Sequence, residues 1–367
     1  MTTAIIGGGI GGLATAIALV RRGQNVRVFE RANEYAEVGS GLSLWPNCLA
    51  ALDALGVGDA VRERGVSVPP IGITDPRGRL LSGIDAEAFA ARYGEIVMIH
   101  RAELLDVLRS HLSDATLVQG AEVTSVTTDG TLEVNGGSER ADVVVAADGV
   151  HSGTRSALWP TVPGARYVGY AAWRMDTEPV SLDSAGEVWG RGERMGYAPL
   201  ADGRAYCFAV TNAPAGARTA GLDEIRRRFG TWAEPVPRLI EAADAGAVMY
   251  HDLYEVPRLS EYVRGRVALL GDAAHGMTPD LGQGAGQSIE DAVTLAEAVA
   301  ADDLAAYDRL RRRRTQAIAR RARRLGQIAQ LSARPLVAVR DAGMRLTPER
   351  VVLRSFASIL DWRADGR

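Results

Sequence analysis

The stretch "TAIIGGGIGGLATAIALVRRGQNVRVFER", residues 3 to 31, decides how the fold begins. It opens with a short apolar run, continues through a glycine-rich turn into an apolar segment that stops near Gly23, and closes with an alternating run. A strand, a helix and a second strand give this order of patterns. The sequence therefore predicts a βαβ unit at the amino-terminal end of an α/β fold.

Three glycines in this turn follow the G-x-G-x-x-G pattern: Gly7, Gly9 and Gly12. In dinucleotide-binding folds the first permits the turn, the second admits a pyrophosphate, and the third lets helix and strand approach closely. The helix amino terminus offers N–H groups to the phosphates. Glu30 ends the second strand, where a carboxylate can bind ribose hydroxyls and would repel a ribose phosphate. The pattern favours FAD or NAD over NADP at this site; the alternative is a glycine-rich packing turn.

Composition limits the possible functions. The chain has 367 residues, of which 47% are hydrophobic and 24% charged, which is enough for a large core and favours two domains. A formal net charge of −3 gives no overall attraction to nucleic acid or membranes. All 42 basic residues are arginine, so Schiff-base, pyridoxal-phosphate and lysine-dependent halogenation chemistry are excluded. The five histidines show no metal-binding spacing, and no metal is predicted.

Two features indicate the cellular compartment. Cys48 and Cys207 form no close pair, which favours a reduced compartment, with the cytoplasm as the default. Residues 4 to 20 carry no charge, but the run contains five glycines, has no basic residue ahead of it, and is short for a membrane span of ~20 residues. We expect neither a signal nor a membrane segment there.

Two later stretches extend the pattern. "DVVVAADGVHSGTR", residues 142 to 155, is a buried strand followed by Asp148 and Gly149. "VALLGDAAHGMTPDLGQGAGQSIEDA", residues 267 to 292, is a buried strand, a glycine-rich turn and a polar helix. With the amino-terminal fingerprint they resemble the three signatures of the FAD-dependent aromatic hydroxylases. These are single-component flavoprotein monooxygenases that include para-hydroxybenzoate and salicylate hydroxylases, and the resemblance spans about residues 1 to 300.

The resemblance implies a Rossmann-like FAD-binding domain, a β-sheet substrate domain and carboxy-terminal helices. We expect a discontinuous FAD domain of residues 1–68, 96–158 and 262–300, a substrate domain of residues 69–95 and 159–261, and a helical region of residues 301–367. A hairpin around residues 75 to 78 and two strands around residues 201 to 204 would form the substrate sheet. On the second of these strands Tyr206, Phe208 and Val210 alternate with Ala205, Cys207 and Ala209, which predicts a face of large and a face of small side chains.

The resemblance also implies cofactor contacts. Asp272 would hold the ribityl or pyrophosphate region of FAD, and Arg101 would lie near the phosphates; their alternatives are a turn cap and an exposed helix-start cation. Gly39 and Gly41 resemble a loop beside the flavin. Arg31 would lie by the adenosine, and the backbone of Val123 by the adenine. The complete set of expected FAD contacts is Gly7, Gly9, Gly12, Glu30, Arg31, Gly41, Arg101, Val123, Asp272, Pro279, Gly282 and Gly284.

Substrate contacts are less specified by the sequence. Trp173, Arg174, Met195 and Tyr197 are candidates to line the substrate pocket, and packing in the core is the alternative for each. Arg174 suits an anionic substrate if it points inward. His275, beside the flavin loop, either assists proton transfer or stabilises the turn. No residue is assigned as catalytic, and the chain has no G-x-S-x-G nucleophile elbow.

The implied reaction is hydroxylation of a small aromatic or heteroaromatic substrate. NADH or NADPH would reduce FAD, O2 would form a flavin hydroperoxide, and one oxygen atom would pass to the ring. Two alternatives remain: an FAD-dependent reductase or dehydrogenase that inserts no oxygen, and a noncatalytic flavoprotein that binds a small molecule. Residues 301 to 334 are arginine-rich and predict a long solvated helix that packs on the FAD domain, in preference to a nucleic-acid or membrane site.

Overall fold

A computed structural model describes residues 1–34, 40–69, 72–114, 116–217 and 221–363. Gly39, expected beside the flavin, lies outside the described residues. The strands are β1 (Thr2–Ile6), β2 (Asn25–Glu30), β3 (Gly41–Leu44), β4 (Val66–Val68), β5 (Gly72–Thr74), β6 (Leu80–Ser82), β7 (Ile96–His100), β8 (Leu117–Gln119), β9 (Val123–Val126), β10 (Thr131–Val134), β11 (Gly137–Arg140), β12 (Val143–Ala146), β13 (Arg166–Asp176), β14 (Gly186–Trp189), β15 (Glu193–Pro199), β16 (Ala205–Asn212), β17 (Met249–Glu255), β18 (Val263–Arg264) and β19 (Val267–Leu269).

The helices cover the sheets and form the carboxy-terminal part of the chain. They are α1 (Ile10–Val20), α2 (Pro46–Ala54), α3 (Gly58–Arg64), α4 (Ala86–Tyr93), α5 (Arg101–Ser110), α6 (Gly153–Leu158), α7 (Gly221–Phe229), α8 (Val236–Glu241), α9 (Asp272–His275), α10 (Gly284–Ala300), α11 (Leu304–Ala329), α12 (Arg334–Leu346), α13 (Glu349–Ser355) and α14 (Ala357–Leu360). Short 3₁₀ turns occupy Ala245–Ala247 and Pro279–Leu281.

The first large sheet contains the predicted βαβ unit. Its strand order is β18-β19-β12-β1-β2-β8, and β1 pairs in parallel with both β12 and β2. Ile5 of β1 faces a fully buried apolar core, with Leu13 of α1 packed in the same cluster. Helix α1 ends at Val20, and Gly23 follows in the next turn with a φ of 73° that favours glycine. This arrangement confirms the Rossmann-like α/β fold class.

The second large sheet lies in the region expected to contact substrate. Its order is β17-β13-β16-β15-β14-β5-β6, and the predicted hairpin around residues 75 to 78 is present as the antiparallel pair β5 and β6. The stretch expected to form two strands forms three, β14, β15 and β16. Ala205, Cys207 and Ala209 of β16 pack in a core with α7 and α8, as the alternation predicts. Two three-stranded sheets, β11-β10-β9 and β3-β7-β4, complete the set.

Helix α10 differs from the sequence prediction in its first residue and in its burial. The sequence suggests a polar helix from about residue 286, whereas α10 begins at Gly284 and is mostly buried. Its polar side chains at Glu290 and Asp291 are fully buried because Arg311 of α11 forms ion pairs with both. Helix α11 packs along α10 and, at Leu304–Ala329, is shorter at both ends than predicted.

Several sequence expectations concern the chain as a whole. Cys48 and Cys207 are free thiols, and burial raises the pKa of both well above the usual value. No described helix is long and apolar enough to cross a membrane. Among the residues that the structure describes, no cluster of His, Cys, Asp or Glu could hold a metal ion. The domain boundaries stay a prediction.

Candidate active site

The glycine turn has the geometry that a dinucleotide requires. Gly7 has a φ of 104°, and a Cβ atom added there would lie 2.5 Å from the carbonyl oxygen of Ala147. A Cβ at Gly12 would overlap the carbonyl oxygen of Gly7, so a glycine is needed for α1 to approach β1. A Cβ at Gly9 would meet no atom within 4 Å, because Gly9 faces a large cavity. Each glycine thus has the backbone geometry expected from its place in the fingerprint.

Glu30 lies at the end of β2 and ties the turn to that strand. Its Oε2 accepts a hydrogen bond from the backbone N–H of Gly8 at 2.8 Å, and its Oε1 accepts one from Ala32 at 2.9 Å. Each carboxylate oxygen can accept a second hydrogen bond. The position therefore leaves acceptor capacity for ribose hydroxyls.

The cavity has a volume of about 1020 Å³, at the upper limit of ordinary ligand sites. It lies between the glycine turn, the segment at residues 40 to 43, the loop at residues 270 to 288 and one face of the second sheet. Seven expected FAD contacts line it: Gly9, Gly41, Arg101, Asp272, Pro279, Gly282 and Gly284. Five do not line it: Gly7, Gly12, Glu30, Arg31 and Val123. Arg31 is exposed just beyond β2, and Val123 packs against a neighbouring apolar cluster.

The loop before α10 presents bare backbone to this cavity. Gly271 and Gly282 each have a φ of 61°, a conformation that favours glycine. A Cβ at Gly282 would also lie 2.8 Å from the Ser43 Oγ. Helix α10 begins two residues later, so its amino-terminal N–H groups and positive dipole end lie at the cavity wall. An electron-rich flavin ring suits that environment.

Asp272 and Arg101 both line the cavity and interact electrostatically. The Asp272 side chain is open to the cavity but enclosed by protein, and this loss of water raises its pKa, while His275 and Arg101 act in the opposite direction. Desolvation lowers the pKa of Arg101, and the Asp272 carboxylate partly offsets that effect. Arg101 lines the cavity, so it is not the exposed cation of the alternative interpretation.

His275 lies behind the loop and does not line this cavity. Its Nε2 is 2.6 Å from Oδ2 of Asp291, which also accepts a hydrogen bond from the Gly271 N–H at 3.0 Å. Arg311 Nε donates to the other Asp291 oxygen at 2.6 Å. Burial acts to raise the pKa of Asp291, but His275 and Arg311 outweigh burial and lower it. These contacts favour the turn-stabilising role for His275 over proton transfer.

Of the four substrate candidates, Arg174 lies on the cavity face of the second sheet and the other three lie on its core face. Arg174 and Tyr197 line the cavity, although Tyr197 stands in register with Cys207 and packs against the core cluster. Trp173 and Met195 do not line it, and the structure corrects their assignment: both are fully buried in the core on the opposite face. Successive side chains of a strand point to opposite faces, and both residues stand in register with Ala209 of the core face. Arg174 stands in register with Phe208, on the cavity face.

A group of charged residues in the cavity was missed by the sequence analysis. Arg194 is fully buried, and its Nη2 donates to Oδ1 of Asp280. Tyr170 Oη donates to the other Asp280 oxygen at 2.7 Å, and Arg194 Nη1 lies 3.6 Å from Oε2 of Glu187. Arg194 Nε has no hydrogen-bond partner among the described residues. The sequence feature that could have indicated this group is the charged Arg194 at the start of the otherwise uncharged strand segment "RMGYAP".

Helix α11 touches this charged group directly. Gly326 of α11 is buried, and a Cβ added there would overlap both Oδ2 of Asp280 and the Tyr170 hydroxyl. The helix backbone therefore forms the outer wall behind the Asp280 carboxylate.

The comparisons with known proteins agree with this site. The family model described as "FAD binding domain" matches residues 1–214 and 252–322. The chain is 37% identical to the aurachin C monooxygenase/isomerase of Stigmatella aurantiaca over 375 residues, covering 97% of each protein. It is 36% identical to a 2-heptyl-3-hydroxy-4(1H)-quinolone synthase of Mycobacteroides abscessus over 307 residues, covering 80% of each. The Klebsiella pneumoniae protein HpxO, solved with FAD and uric acid, superposes with a TM-score of 0.90 at 30% identity, covering 98% of this chain and 96% of that one.

The fold, the glycine turn and the cavity define a flavoprotein. The chain belongs to the FAD-dependent aromatic hydroxylases. It is therefore a monooxygenase with FAD as cofactor and NAD(P)H as reductant, as the sequence predicts, and the reductase and binding-protein alternatives are not supported. The open position at Gly9 and the helix terminus at Gly284 fit bound FAD, which supplies the activation of O2.

Proposed function

We propose that the enzyme hydroxylates a small planar nitrogen heterocycle that carries both an N–H donor and a carbonyl acceptor. The observation behind this proposal is the pairing of Arg194 and Glu187 in the cavity. Arg194 Nε is a buried donor without a partner, and Glu187 provides a carboxylate beside it. A ring carbonyl would accept from Arg194, and a ring N–H would donate to Glu187.

The charges around Arg194 favour a ring of this kind over a simple carboxylate, and Arg174, which also lines the cavity, donates to the Tyr206 hydroxyl and to Ser40 Oγ. Arg194 is already paired with Asp280, so the pair offers hydrogen-bond donors with little net positive charge. The nearby Glu187 would repel a substrate carboxylate. Buried donors and acceptors discriminate strongly against molecules that leave them unpaired. A heterocycle with both groups satisfies this site.

Apolar side chains would position the ring and exclude water. Phe208, Val210 and Ala172 line the cavity on the sheet face, with Leu253 and Met249 on the neighbouring strand. The Phe208 ring packs against Gly196, where an added side chain would clash with it. An apolar surface that excludes water favours transfer of oxygen to the substrate over loss to water.

Relatives support this substrate class. A quinolone, named for the Mycobacteroides relative, and uric acid, bound to HpxO, are both planar nitrogen heterocycles with N–H and carbonyl groups. We also propose that the twelve expected FAD residues contact the cofactor and that the enzyme works in the cytoplasm. The two free cysteines suit that compartment.

A substrate panel tests the proposal. Purified holoenzyme is given NADH or NADPH with uric acid, 2-heptyl-4(1H)-quinolone or salicylate, under heavy-isotope O2 in ordinary water. We expect a nitrogen heterocycle to accelerate NAD(P)H oxidation and to gain one heavy oxygen atom, measured by product mass. Efficient hydroxylation of salicylate alone would contradict the proposed class, and product oxygen from water would contradict monooxygenation.

A further inference from the structure

We propose that a second, arginine-rich cavity binds the phosphate groups of the reductant, NADH or NADPH. This cavity has a volume of about 650 Å³ and lies between the start of β13, the end of β17, α9 and α11. None of the twelve residues expected to contact FAD lines this second cavity. Four arginines line it: Arg166, Arg258, Arg320 and Arg323.

The charges in this cavity are unbalanced. Glu255 is the carboxylate among the described lining residues, and its Oε1 accepts from both Arg166 and Arg323, the latter at 2.9 Å. Arg258 and Arg320 are exposed and form no ion pair with the described part of the chain. Two guanidinium groups are therefore free. Their planar forks match phosphate oxygens and form charge-assisted hydrogen bonds with them.

Neutral polar atoms also lie in the wall. His275 lines the cavity, and its Nε2 is engaged with Asp291, so the Nδ1 is the ring nitrogen left for a ligand. That Nδ1 is buried and has no hydrogen-bond partner among the described residues. In the neutral tautomer whose Nε2–H donates to the Asp291 carboxylate, Nδ1 is an acceptor. The wall thus suits a ligand with hydroxyl donors as well as phosphates, as in a dinucleotide ribose.

The position of this cavity suits the reductant. Gly276 lines both cavities, so its backbone separates them. Tyr254 of β17 lines the FAD cavity, and the next residue, Glu255, lines the arginine-rich cavity. A dinucleotide whose phosphates bind these arginines would therefore lie next to the FAD cavity.

The reductant needs a cationic site of its own. The G-x-G-x-x-G turn would hold FAD, and NADH and NADPH both carry a pyrophosphate. The inference rests on the use of NAD(P)H by this enzyme and not on the substrate proposed above. Its test uses flavin reduction without substrate, so it succeeds or fails separately from the substrate class.

The experiment compares the double variant Arg258→Gln/Arg320→Gln with wild type and with Arg324→Gln. Arg324 is an exposed arginine of the same helix, α11, that does not line the cavity. Flavin absorbance follows reduction of the holoenzyme by NADH and by NADPH without O2. We expect the half-saturating reductant concentration to rise about tenfold in the double variant, with the limiting rate and FAD content unchanged. Arg324→Gln should behave as wild type.

Inorganic pyrophosphate provides a second measurement. It should compete with the reductant in wild type and lose most of that effect in the double variant, and added salt should raise the half-saturating concentration in wild type. An unchanged half-saturating concentration in the double variant would overturn the proposal. The proposal would be rejected even if the double variant no longer bound pyrophosphate, because the cavity would then be an anion site unrelated to the reductant.

Discussion

At the scale of single residues, the glycine turn contains one position that the fold requires and another that only the cofactor requires. A methyl group at Gly12 would overlap the Gly7 carbonyl oxygen, whereas one at Gly9 would enter the cavity without touching protein. We expect Gly12→Ala to lower the Tm of the FAD-free protein. Gly9→Ala should keep that Tm and weaken FAD binding, measured by titration. Wild-type FAD affinity in Gly9→Ala would contradict this distinction.

Glu187 is expected to recognise the substrate in addition to its contacts with Trp189 and Arg194. Glu187→Gln keeps an oxygen that can accept from Trp189 Nε1, as the carboxylate does at 2.7 Å. We expect the KM for an N–H heterocycle to rise about tenfold, because a hydrogen bond to a charged group is lost. The KM for the matched N-methyl ring should change little, and FAD affinity should not change. Equal effects on both rings would show that Glu187 does not accept this hydrogen.

The sequence predicted the positions of some site residues better than those of others. The fingerprint glycines follow from backbone geometry alone, so their roles could be derived. In β16 large and small side chains alternate, and the division of the strand into two faces was correctly predicted. In β13 Trp173 and Arg174 are both large, and nothing local indicates which one faces the cavity. Arg194 and Asp280 meet only through tertiary packing, so their ion pair had no local signal.

At the scale of elements, α10 depends on α11 for its buried charges. Arg311 pairs with Glu290 and Asp291, and its removal leaves these buried carboxylates with Arg314 and His275 as their remaining partners. We expect Arg311→Met to lower the free energy of unfolding by about 3–5 kcal/mol, measured by urea denaturation. Arg313→Gln, at an exposed position on the same helix, should change it by less than about 0.5 kcal/mol. Similar losses in both variants would contradict this account of α10.

The same pairing predicts an acid limit. The pKa of Asp291 lies below its ordinary value of 3.8 in the folded protein, because His275 and Arg311 outweigh its burial. Such a carboxyl adds stability above its unfolded pKa and loses it as the pH falls towards the folded pKa. The free energy of unfolding should fall as the pH drops below 3.8, and less steeply in Asp291→Asn. Exposed Asp302→Asn should keep the wild-type slope; an identical slope in Asp291→Asn would exclude Asp291 as the cause.

At the scale of the whole molecule, the FAD cavity joins distant parts of the chain. Its walls come from the glycine turn, the segment at residues 40 to 43, the second sheet and the loop before α10. FAD at about 100 times its Kd should stabilise the fold by about 2.7 kcal/mol. Removal of FAD should therefore lower the Tm by several degrees, with a smaller shift in Gly9→Ala. Equal Tm values with and without FAD would contradict a cofactor that bridges these parts.

The overall plan could be predicted where local patterns determine it. The three ordered motifs indicated the first sheet and the cofactor. The parallel pairing of β5 with β14, which adds residues 72 to 74 to the second sheet, joins segments far apart in the chain. The burial of α10 likewise depends on arginines that follow it. Such long-range pairings leave no periodic signal in the sequence.

Gly326 offers an unexpected position at which substrate specificity could change. A glycine within a 26-residue helix costs up to about 1 kcal/mol of helical stability relative to alanine. Here it lets α11 lie against Asp280 and Tyr170, so one added carbon on an outer helix would displace the carboxylate that orients Arg194. Substitution of Gly326 should therefore change which aromatic compounds the enzyme accepts, although this residue is remote from the strands that face the ring. Mutant libraries restricted to those strands would not include this position.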